Sequence, residues 1–281
     1  MLITGATGWL GREVIARLSR LQPNLPVLPV ASRSRVFDVG KRDVRAVEWN
    51  HKEIASWGPT LALHLAYLTP ELEQTIGTTE YEAQNRRLTE QALRLYSLPT
   101  IRGVVSASSG AAIAQRDTTY GRMKARDETA FLEAGESSGV PTIIARIWSV
   151  TGVHCTKPDQ FAFFDLIRQT QYESEVHICS AHEVWRRYVD AGEYLDLCLA
   201  AVSSGSSGVI DSGGELIEIG DLAAEIQNTL GIQRPISRPE ISGAADIYAS
   251  DGLSMRTWAD SKGLKMSSIL EQIVRVASNL V

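Results

Sequence analysis

The chain has 281 residues, of which 44% are hydrophobic and 22% charged, so it is long enough to bury a complete α/β core. Its formal net charge is −5, and its lysines and arginines form no block, which argues against nucleic acid or an anionic membrane as a partner. We expect a small or polar ligand instead.

The cysteines and the apolar runs bear on where the chain resides. Cys155, Cys179 and Cys198 are far apart and form no C-x-x-C pair, so we expect neither a disulfide framework nor a metal site. No stretch approaches the roughly 18 uninterrupted apolar residues of a membrane span, and the chain opens without a signal-peptide pattern. We therefore expect a cytoplasmic protein.

The first half of the chain alternates short apolar runs with helix-period segments, a pattern typical of βαβ units around a parallel sheet. Strands are predicted over the apolar runs 1–4, 27–32, 46–49, 61–65, 103–106 and 142–146. Helices are predicted over 11–21, where Val14, Ile15, Leu18 and Leu21 form a stripe, and over 82–96. The pattern predicts an α/β fold with a Rossmann-type doubly wound parallel sheet.

The second half has a different character. An apolar helix is predicted near 161–167, and a second helix over 222–230, capped by Asp221 and ended by Gly231. A final helix over 268–280 is expected to bury Ile269, Leu270, Ile273, Val274 and Leu280. We assign 1–152 to a dinucleotide-binding Rossmann domain and 153–281 mainly to a small C-terminal α/β substrate lobe, with about 185–212 returning to the Rossmann sheet.

A glycine-rich loop follows the first predicted strand directly. Residues 4–11 read TGATGWLG and lead into the predicted helix 11–21. In a loop of this spacing Gly5 permits a tight turn, Gly8 lets backbone approach a pyrophosphate, and Gly11 allows close packing of the helix. The N–H groups at the helix N-terminus then face the anion. We predict dinucleotide contacts from Gly5, Thr7, Gly8, Trp9 and Leu10.

The residues after the second predicted strand bear on the choice between NAD and NADP. NAD enzymes place a carboxylate there to bind the ribose 2′-OH, but residues 31–35 read ASRSR in this chain. Arg33 and Arg35 offer charge-assisted donors that suit a 2′-phosphate, which favours NADP. Asp38 lies a few residues further on and keeps NAD open. Asn50, after the third strand, is a candidate contact for the adenine edge.

Tyr120 and Lys124 are spaced to lie on one face of a helix predicted over 120–134. A phenol with a pKa near 10 is a poor acid or base at neutral pH unless a cation favours the phenolate, and Lys124 supplies that cation. The apolar run before them ends in Ser108 and Ser109, and strand ends of this kind face the cofactor crevice. Ser109, with Ser108 close behind, is the predicted hydrogen-bond donor to a substrate oxygen.

Together these motifs resemble the extended short-chain dehydrogenase/reductases of the NAD-dependent epimerase/dehydratase family. The likeness includes the T-G-x-x-G-x-x-G loop, the Y-x-x-x-K pair and residues 64–66, which resemble the family's H-L-A-A segment. Residues 146–152 are similar to R-P-x-N-V-Y-G, and residues 186–190 are similar to R-D-Y-V-H.

The resemblance implies a role for each matching residue. Tyr120 would be the acid/base, Lys124 its electrostatic partner and a ribose ligand, and Ser109 the ligand of the reacting oxygen. Further cofactor contacts are implied for Leu65, Ala66 and Asn85, and substrate contacts for Ser108, Ser149 and Arg186. Arg186 would grip a diphosphate, which suits a guanidinium fork. A homodimer is implied as well, built on helices such as 82–96 and 120–134, although these could equally pack on their own sheet.

The resemblance also frames the expected reaction. Family members mostly act on nucleotide-linked sugars, so we expect an NADP- or NAD-dependent oxidoreductase or epimerase, most simply a reductase of a 4-keto sugar. Ser149 stands where many members have Asn, and Ile147 replaces a usual proline, so the substrate pocket should differ from that of the well-known epimerases. The alternatives are a carbonyl reductase for a non-nucleotide small molecule and a non-catalytic NADP-sensing regulator.

Overall fold

The computed structural model describes residues 1–280. Its strands are β1 (Leu2–Thr4), β2 (Leu28–Ala31), β3 (Arg35–Asp38), β4 (Asp43–Glu48), β5 (Leu61–His64), β6 (Gly103–Ser109), β7 (Thr142–Ile147), β8 (Ser149–Thr151), β9 (Val176–His177), β10 (Val184–Asp190), β11 (Gly208–Asp211), β12 (Glu215–Glu218), β13 (Ile236–Ser237) and β14 (Asp246–Tyr248). Its α-helices are α1 (Trp9–Leu21), α2 (His51–Trp57), α3 (Glu71–Ile76), α4 (Thr78–Leu93), α5 (Ala111–Ala114), α6 (Thr119–Ser138), α7 (Ala162–Tyr172), α8 (Ala191–Ser203), α9 (Ile219–Leu230), α10 (Leu253–Lys262) and α11 (Ile269–Ala277).

The chain divides into two compact units. The first contains Met1–Ile147 and Leu195–Ile210, and the second contains Trp148–Tyr194 and the described residues from Asp211 onward. The segment that returns to the first unit therefore begins within α8, at Leu195, rather than near residue 185. The strand β10 pairs inside the second unit instead.

The first unit is built on an eight-stranded sheet in the order β11-β7-β6-β5-β1-β2-β4-β3. β1 pairs in parallel with both β2 and β5. The strands β2, β4 and β3 therefore lie on one side of β1, and the later strands, beginning with β5, lie on its other side. This reversal is the topological switch point at which doubly wound sheets bind ligands, beside the carboxyl ends of the strands. The predicted Rossmann-type sheet is confirmed.

Apolar side chains from the strands and the helices that cover them form the core of the first unit. Leu2, Ala62, Val104 and Ile144 come from successive parallel strands, and Phe131 of α6 packs against them; all five are almost completely buried. Burial on both faces explains why these strands are short continuous apolar runs rather than alternating ones.

The strands β3, β4 and β6 differ from the sequence prediction. β3 was not predicted; it pairs antiparallel with β4, which begins at Asp43 rather than Ala46. Within β3 only Phe37 is buried, so the strand lacks an apolar signature. β6 also continues to Ser109, which places both candidate serines at the end of the strand itself.

The second unit has a four-stranded sheet in which β10 is flanked by β12 and β14 and also pairs with β8. The helices α7, α9 and α11 pack against one another, burying Phe163, Phe164, Leu222, Ile226 and Ile273. A short parallel pair, β9 with β13, completes the described pairing.

Two predictions about the helices of the second unit are wrong. Asp221 does not cap α9: the helix begins at Ile219, and the cap is Glu218, whose carboxylate accepts the N–H of Gly220. α11 begins at Ile269 and is capped by Ser268 in a capping box with Glu271. It buries Ile269, Ile273, Val276 and Ala277, whereas Leu270 and Val274 are 44% and 50% exposed.

Among the described residues, no helix combines the length and the apolar character that crossing a bilayer would require.

Candidate active site

Two positions in the loop after β1 leave no room for any residue except glycine. Gly5 has φ of +65°, and a Cβ there would lie 2.7 Å from the backbone nitrogen of Ala66. A Cβ on Gly11 would lie 2.5 Å from the carbonyl oxygen of Gly5 and 2.6 Å from Ala6. The start of α1 is therefore packed directly against the loop, and the loop against the end of β5.

The N-terminus of α1 has the features of an anion site. Gly8 is its N-cap, no side chain caps the helix, and its first turn contains no acidic residue. The N–H of Gly8 donates to the carbonyl of Gly5 at 3.0 Å, which closes the turn. The glycine cradle and this helix N-terminus fit the pyrophosphate of a dinucleotide.

The other predicted loop residues surround this cradle. The carbonyl of Thr7 accepts a hydrogen bond from the Arg12 guanidinium at 3.0 Å, and the indole of Trp9 donates to Glu13 at 3.3 Å. Leu10 is half-buried in the first turn of α1.

Thr4 and His64 join the ends of β1 and β5. The Thr4 hydroxyl accepts the N–H groups of Leu65 and Ala66 and lies 2.8 Å from Nδ1 of His64. Since its lone pairs take two donors, its proton goes to Nδ1, and the neutral imidazole carries its own proton on Nε2. Burial, and secondarily the charge of Lys124, lowers the pKa of His64 to about 3, so the ring is neutral.

The residues predicted to contact the adenosine end have different surroundings. Arg33 lies just beyond β2 and is exposed, and Arg35, also exposed, begins β3. β3 and β4 form a hairpin, and Asp38 lies opposite Asp43 at its turn. Arg33, in the bend before β3, lies at the other end of the hairpin. Asn50 is the N-cap of α2, and its amide oxygen accepts the N–H groups of Lys52 and Glu53.

Tyr120 and Lys124 both lie on α6, as the spacing predicts. Lys124 is 5% exposed; its ammonium donates to the carbonyl of Ala107 at 2.9 Å and lies 6.0 Å from the centre of the Tyr120 ring. Burial lowers the pKa of Lys124 to about 8, although the charges of Asp127 and Glu128 act in the opposite direction. Lys124 is therefore mostly charged at neutral pH, close to a half-buried phenol.

The two candidate serines have different partners. Ser108 donates its hydroxyl to Glu128 at 2.5 Å, and Glu128 is held by the Arg146 guanidinium at 2.6 and 2.9 Å. Ser108 is thus part of a buried ion-pair network. The hydroxyl oxygen of Ser109 accepts the N–H of Ala111 at 3.2 Å.

Two groups near the pair, Tyr67 and Asp127, lie outside the set predicted from the sequence. The ring of Tyr67 lies 3.4 Å from the Lys124 ammonium, and its hydroxyl donates to Asp127 at 3.1 Å. Asp127 follows Lys124 by three residues, so its place on the same helix face was visible in the sequence. No local signal points to Tyr67, because it reaches α6 from the loop after β5.

Asn85, a predicted cofactor contact, is completely buried in α4. Its amide oxygen accepts the N–H of Leu68 at 2.8 Å, which fixes the loop after β5. Its amide nitrogen has no hydrogen-bond partner among the described residues. A buried donor of this kind costs free energy unless a ligand or water satisfies it.

The predicted substrate residues Ser149 and Arg186 belong to the second unit. Ser149 begins β8 opposite Tyr188. Arg186 forms an ion pair with Asp246 at 2.6 Å, and its guanidinium lies 5.8 Å from the centre of the Tyr248 ring. That ring packs in turn against Trp148 at 5.0 Å. Arg186 is therefore already paired with a carboxylate.

The fold is similar to that of several solved enzymes. dTDP-glucose 4,6-dehydratase from Bacillus anthracis, in complex with NAD, has a TM-score of 0.77 at 12% identity, covering 99% of this chain and 95% of the other. UDP-glucose 4-epimerase from Thermotoga maritima, with UDP-glucose, has a TM-score of 0.73 at 19% identity, covering 99% and 97%. UDP-glucose 4-epimerase from Brucella ovis, in complex with NAD, has a TM-score of 0.72 at 14% identity, covering 99% and 97%.

At these identities the structural likeness establishes the fold. Among curated protein sequences, none matches the chain. The model of one protein family matches residues 1–220, a span that includes the glycine loop, the Tyr120–Lys124 pair and β10. The chain therefore belongs to the NAD-dependent epimerase/dehydratase family of enzymes.

Proposed function

We propose that the protein reduces a 4-keto group on a nucleotide-linked sugar, with Ser109, Tyr120 and Lys124 as the catalytic residues and NADP(H) as the favoured cofactor. The observation that carries the proposal is the buried ammonium of Lys124, one helical turn from Tyr120 on α6. A charged lysine in this position makes a phenol useful as an acid at neutral pH.

The three side chains divide the work at the substrate oxygen. Tyr120 donates a proton to the oxygen as it becomes an alkoxide, and the ammonium of Lys124 stabilises the phenolate that remains. Ser109 donates a hydrogen bond to the same oxygen, which polarises the carbonyl. A nicotinamide cofactor, when bound, supplies the hydride for the carbonyl carbon.

The substrate class rests on the similar proteins and on Arg186. The Thermotoga maritima epimerase contains UDP-glucose, and the Bacillus anthracis enzyme is a dTDP-glucose dehydratase. Arg186 offers a guanidinium suited to a diphosphate. Because Asp246 is bound to it, a diphosphate would have to replace that carboxylate.

Turnover by a Tyr120→Phe variant tests the proposal. We expect the wild-type protein to consume NADPH in the presence of a dTDP- or UDP-linked 4-keto hexose, and Tyr120→Phe to lose at least about 100-fold in kcat. Tyr172→Phe is the matched control, since Tyr172 is an exposed phenol on α7. A Tyr120→Phe variant with unchanged kcat would contradict the assignment.

The same assay separates the reductase from its rivals. An epimerase would convert the sugar without net loss of NADPH absorbance, because its cofactor is recycled in place. A carbonyl reductase for non-nucleotide substrates would show no affinity for UDP, GDP or dTDP in calorimetric titration. A dinucleotide-sensing regulator would bind NADPH, turn nothing over and tolerate Tyr120→Phe.

A further inference from the structure

The ammonium of Lys124 rests on an aromatic face. Its nitrogen lies 3.4 Å from the centre of the Tyr67 ring, well inside the distance at which a cation is attracted to an aromatic quadrupole. Lys124 is buried, so this attraction acts with little screening by water. The same Tyr67 ring meets the ring of Tyr120 edge to face, with centres 5.9 Å apart and planes at 73°. Tyr67 thus touches both members of the catalytic pair.

A buried carboxylate holds Tyr67 in this position. The Tyr67 hydroxyl and the Thr89 hydroxyl each donate to Oδ2 of Asp127 at 3.1 Å, while Arg126 donates to its Oδ1 at 3.0 Å. Asp127 and Thr89 are each 5% exposed. With three donors, the carboxylate has a fixed orientation, and through its hydrogen bond the ring of Tyr67 is fixed as well.

We propose that Tyr67 and Asp127 are positioning residues for the catalytic pair: Asp127 fixes Tyr67 and keeps Lys124 charged, and the Tyr67 ring supports the ammonium beside Tyr120. The inference rests on the proposed function of Tyr120 and Lys124. Neither Tyr67 nor Asp127 needs to contact substrate or cofactor for this role.

The groups around Lys124 determine whether each substitution raises or lowers its pKa. Burial lowers the pKa of Lys124, and the nearby anions Asp127 and Glu128, on its own helix, raise it. From the loop after β5, the Tyr67 phenol faces it; burial and Asp127 raise the pKa of that phenol far above its usual range, so it stays a neutral donor. His64 of β5 is neutral, and Tyr120 completes the set. Removing the charge of Asp127 should therefore lower the pKa of Lys124.

The pKa of Lys124 is measurable without any substrate. Lys124 is the only buried lysine among the described residues, so its side-chain signal in protein labelled with ¹³C-lysine should stand apart, and Lys124→Met assigns it. We expect Asp127→Asn to lower this pKa by about one unit or more, because it removes a nearby opposite charge that raises the pKa of Lys124. Tyr67→Leu, which keeps an apolar cover but no aromatic face, should lower it by roughly half a unit. Tyr67→Phe keeps the ring but loses the hydroxyl that binds Asp127, so it should lower the pKa of Lys124 less than Tyr67→Leu does.

Two control variants account for general disturbance of α6. Glu133→Gln removes a charge from an exposed position on the same helix. Tyr96→Leu removes a phenol that hydrogen-bonds to Phe131 and Thr142 without contacting Lys124. Both should leave the pKa of Lys124 within about 0.3 units of wild type. If Asp127→Asn fails to fold, the smaller Asp127→Ser removes the same charge and carries the same expectation.

The proposal stands only if Asp127→Asn, or its substitute, and Tyr67→Leu both lower the pKa of Lys124 while both controls do not. An unchanged pKa in either test variant overturns it and leaves Tyr67 or Asp127 with a packing role alone. In the active enzyme the alkaline limb of kcat/KM should move to lower pH in step with the titration. Because the titration needs no turnover, it is independent of the Tyr120→Phe assay, so the two proposals fail separately.

Discussion

The hydroxyl of Thr4 lies 2.8 Å from Nδ1 of His64, and this contact joins residues 60 positions apart at the carboxyl ends of β1 and β5. The same hydroxyl holds the N–H groups of Leu65 and Ala66, whose backbone contacts Gly5. One side chain therefore joins β1, at the start of the glycine loop, to the end of the neighbouring strand β5.

Thr4→Val should weaken both the fold and cofactor binding. Valine has the same shape but leaves Nδ1 of a buried histidine and the N–H of Ala66 without their partner, whereas the N–H of Leu65 keeps the backbone carbonyl of Thr4. The loss should cost about 1–3 kcal/mol in the free energy of unfolding. Urea unfolding and a calorimetric Kd for NADPH measure the two effects. Thr4→Ser keeps the hydroxyl and should lie close to wild type; equal losses in both variants would contradict this account.

His64 should make the protein less stable in acid. Its pKa is about 3 in the folded state and near 6.5 when unfolded, so between these values only the unfolded chain takes up the proton. The stability contributed by the neutral ring is fully present above pH 6.5 and is lost as pH falls toward 3, by up to about 1.4 kcal/mol per pH unit.

Replacement by asparagine isolates this effect. His64→Asn offers an acceptor to Thr4 but does not titrate, so between pH 7 and pH 5 it should lose about 2 kcal/mol less stability than wild type does. Urea unfolding at the two pH values gives the comparison. His177→Asn, at a position whose side chain is 57% exposed, should keep the wild-type slope. A His64→Asn slope equal to that of wild type would rule out the buried neutral imidazole.

Gly8 and Gly11 should respond differently to alanine. A Cβ on Gly11 meets backbone at 2.5 Å, so Gly11→Ala should lower the free energy of unfolding by about 1–3 kcal/mol and weaken cofactor binding. Gly8 has ordinary dihedral angles, φ −77° and ψ 175°, and a Cβ there would only touch Gly5 at 3.4 Å. Gly8→Ala should keep its stability yet lose about tenfold or more in affinity for NADPH, because the methyl group occupies the approach to the pyrophosphate. An unchanged affinity for NADPH in Gly8→Ala would contradict the proposed binding of the pyrophosphate at this loop.

Arg33 should distinguish the two dinucleotides. If its guanidinium binds the 2′-phosphate, Arg33→Ala should raise the Kd for NADPH by about 10- to 100-fold and leave that for NADH within about twofold. Arg20→Ala, at an exposed position in the last turn of α1, makes the same change in charge as a control. An equal change in the Kd for both cofactors would contradict a contact between Arg33 and the 2′-phosphate.

The sheet was predictable because its signals are local. The buried parallel strands are short apolar runs, and long crossover helices such as α1 have an apolar stripe, so the order of these elements follows from the sequence. β3 has no such signal, since only Phe37 faces inward. In α11 the apolar stripe includes Leu270 and Val274, whereas the buried face is turned toward Gln272. The sequence therefore does not show that Ile273 and Val276 face the core while Leu270 and Val274 are exposed.

The candidate site likewise has parts that the sequence predicts and parts that it does not. The glycine loop and the Tyr120–Lys124 spacing each lie within one stretch of chain and are visible as motifs. The partners that orient them come from elsewhere: Thr4 meets His64, and Tyr67 meets Lys124, across the ends of neighbouring elements. Such contacts depend on strand register, which no short motif encodes.

The order of the strands also determines when the dinucleotide-binding crevice beside β1 can form during folding. β5 lies beside β1, yet α1, β2, β3, β4 and α2 are synthesised between them. A nascent chain that ends before residue 61 has the glycine turn but lacks the strand against which that turn is packed. Contacts of such long sequence separation form slowly, because the intervening loop must close first. Dinucleotide can therefore act as a folding ligand only after β5 has left the ribosome.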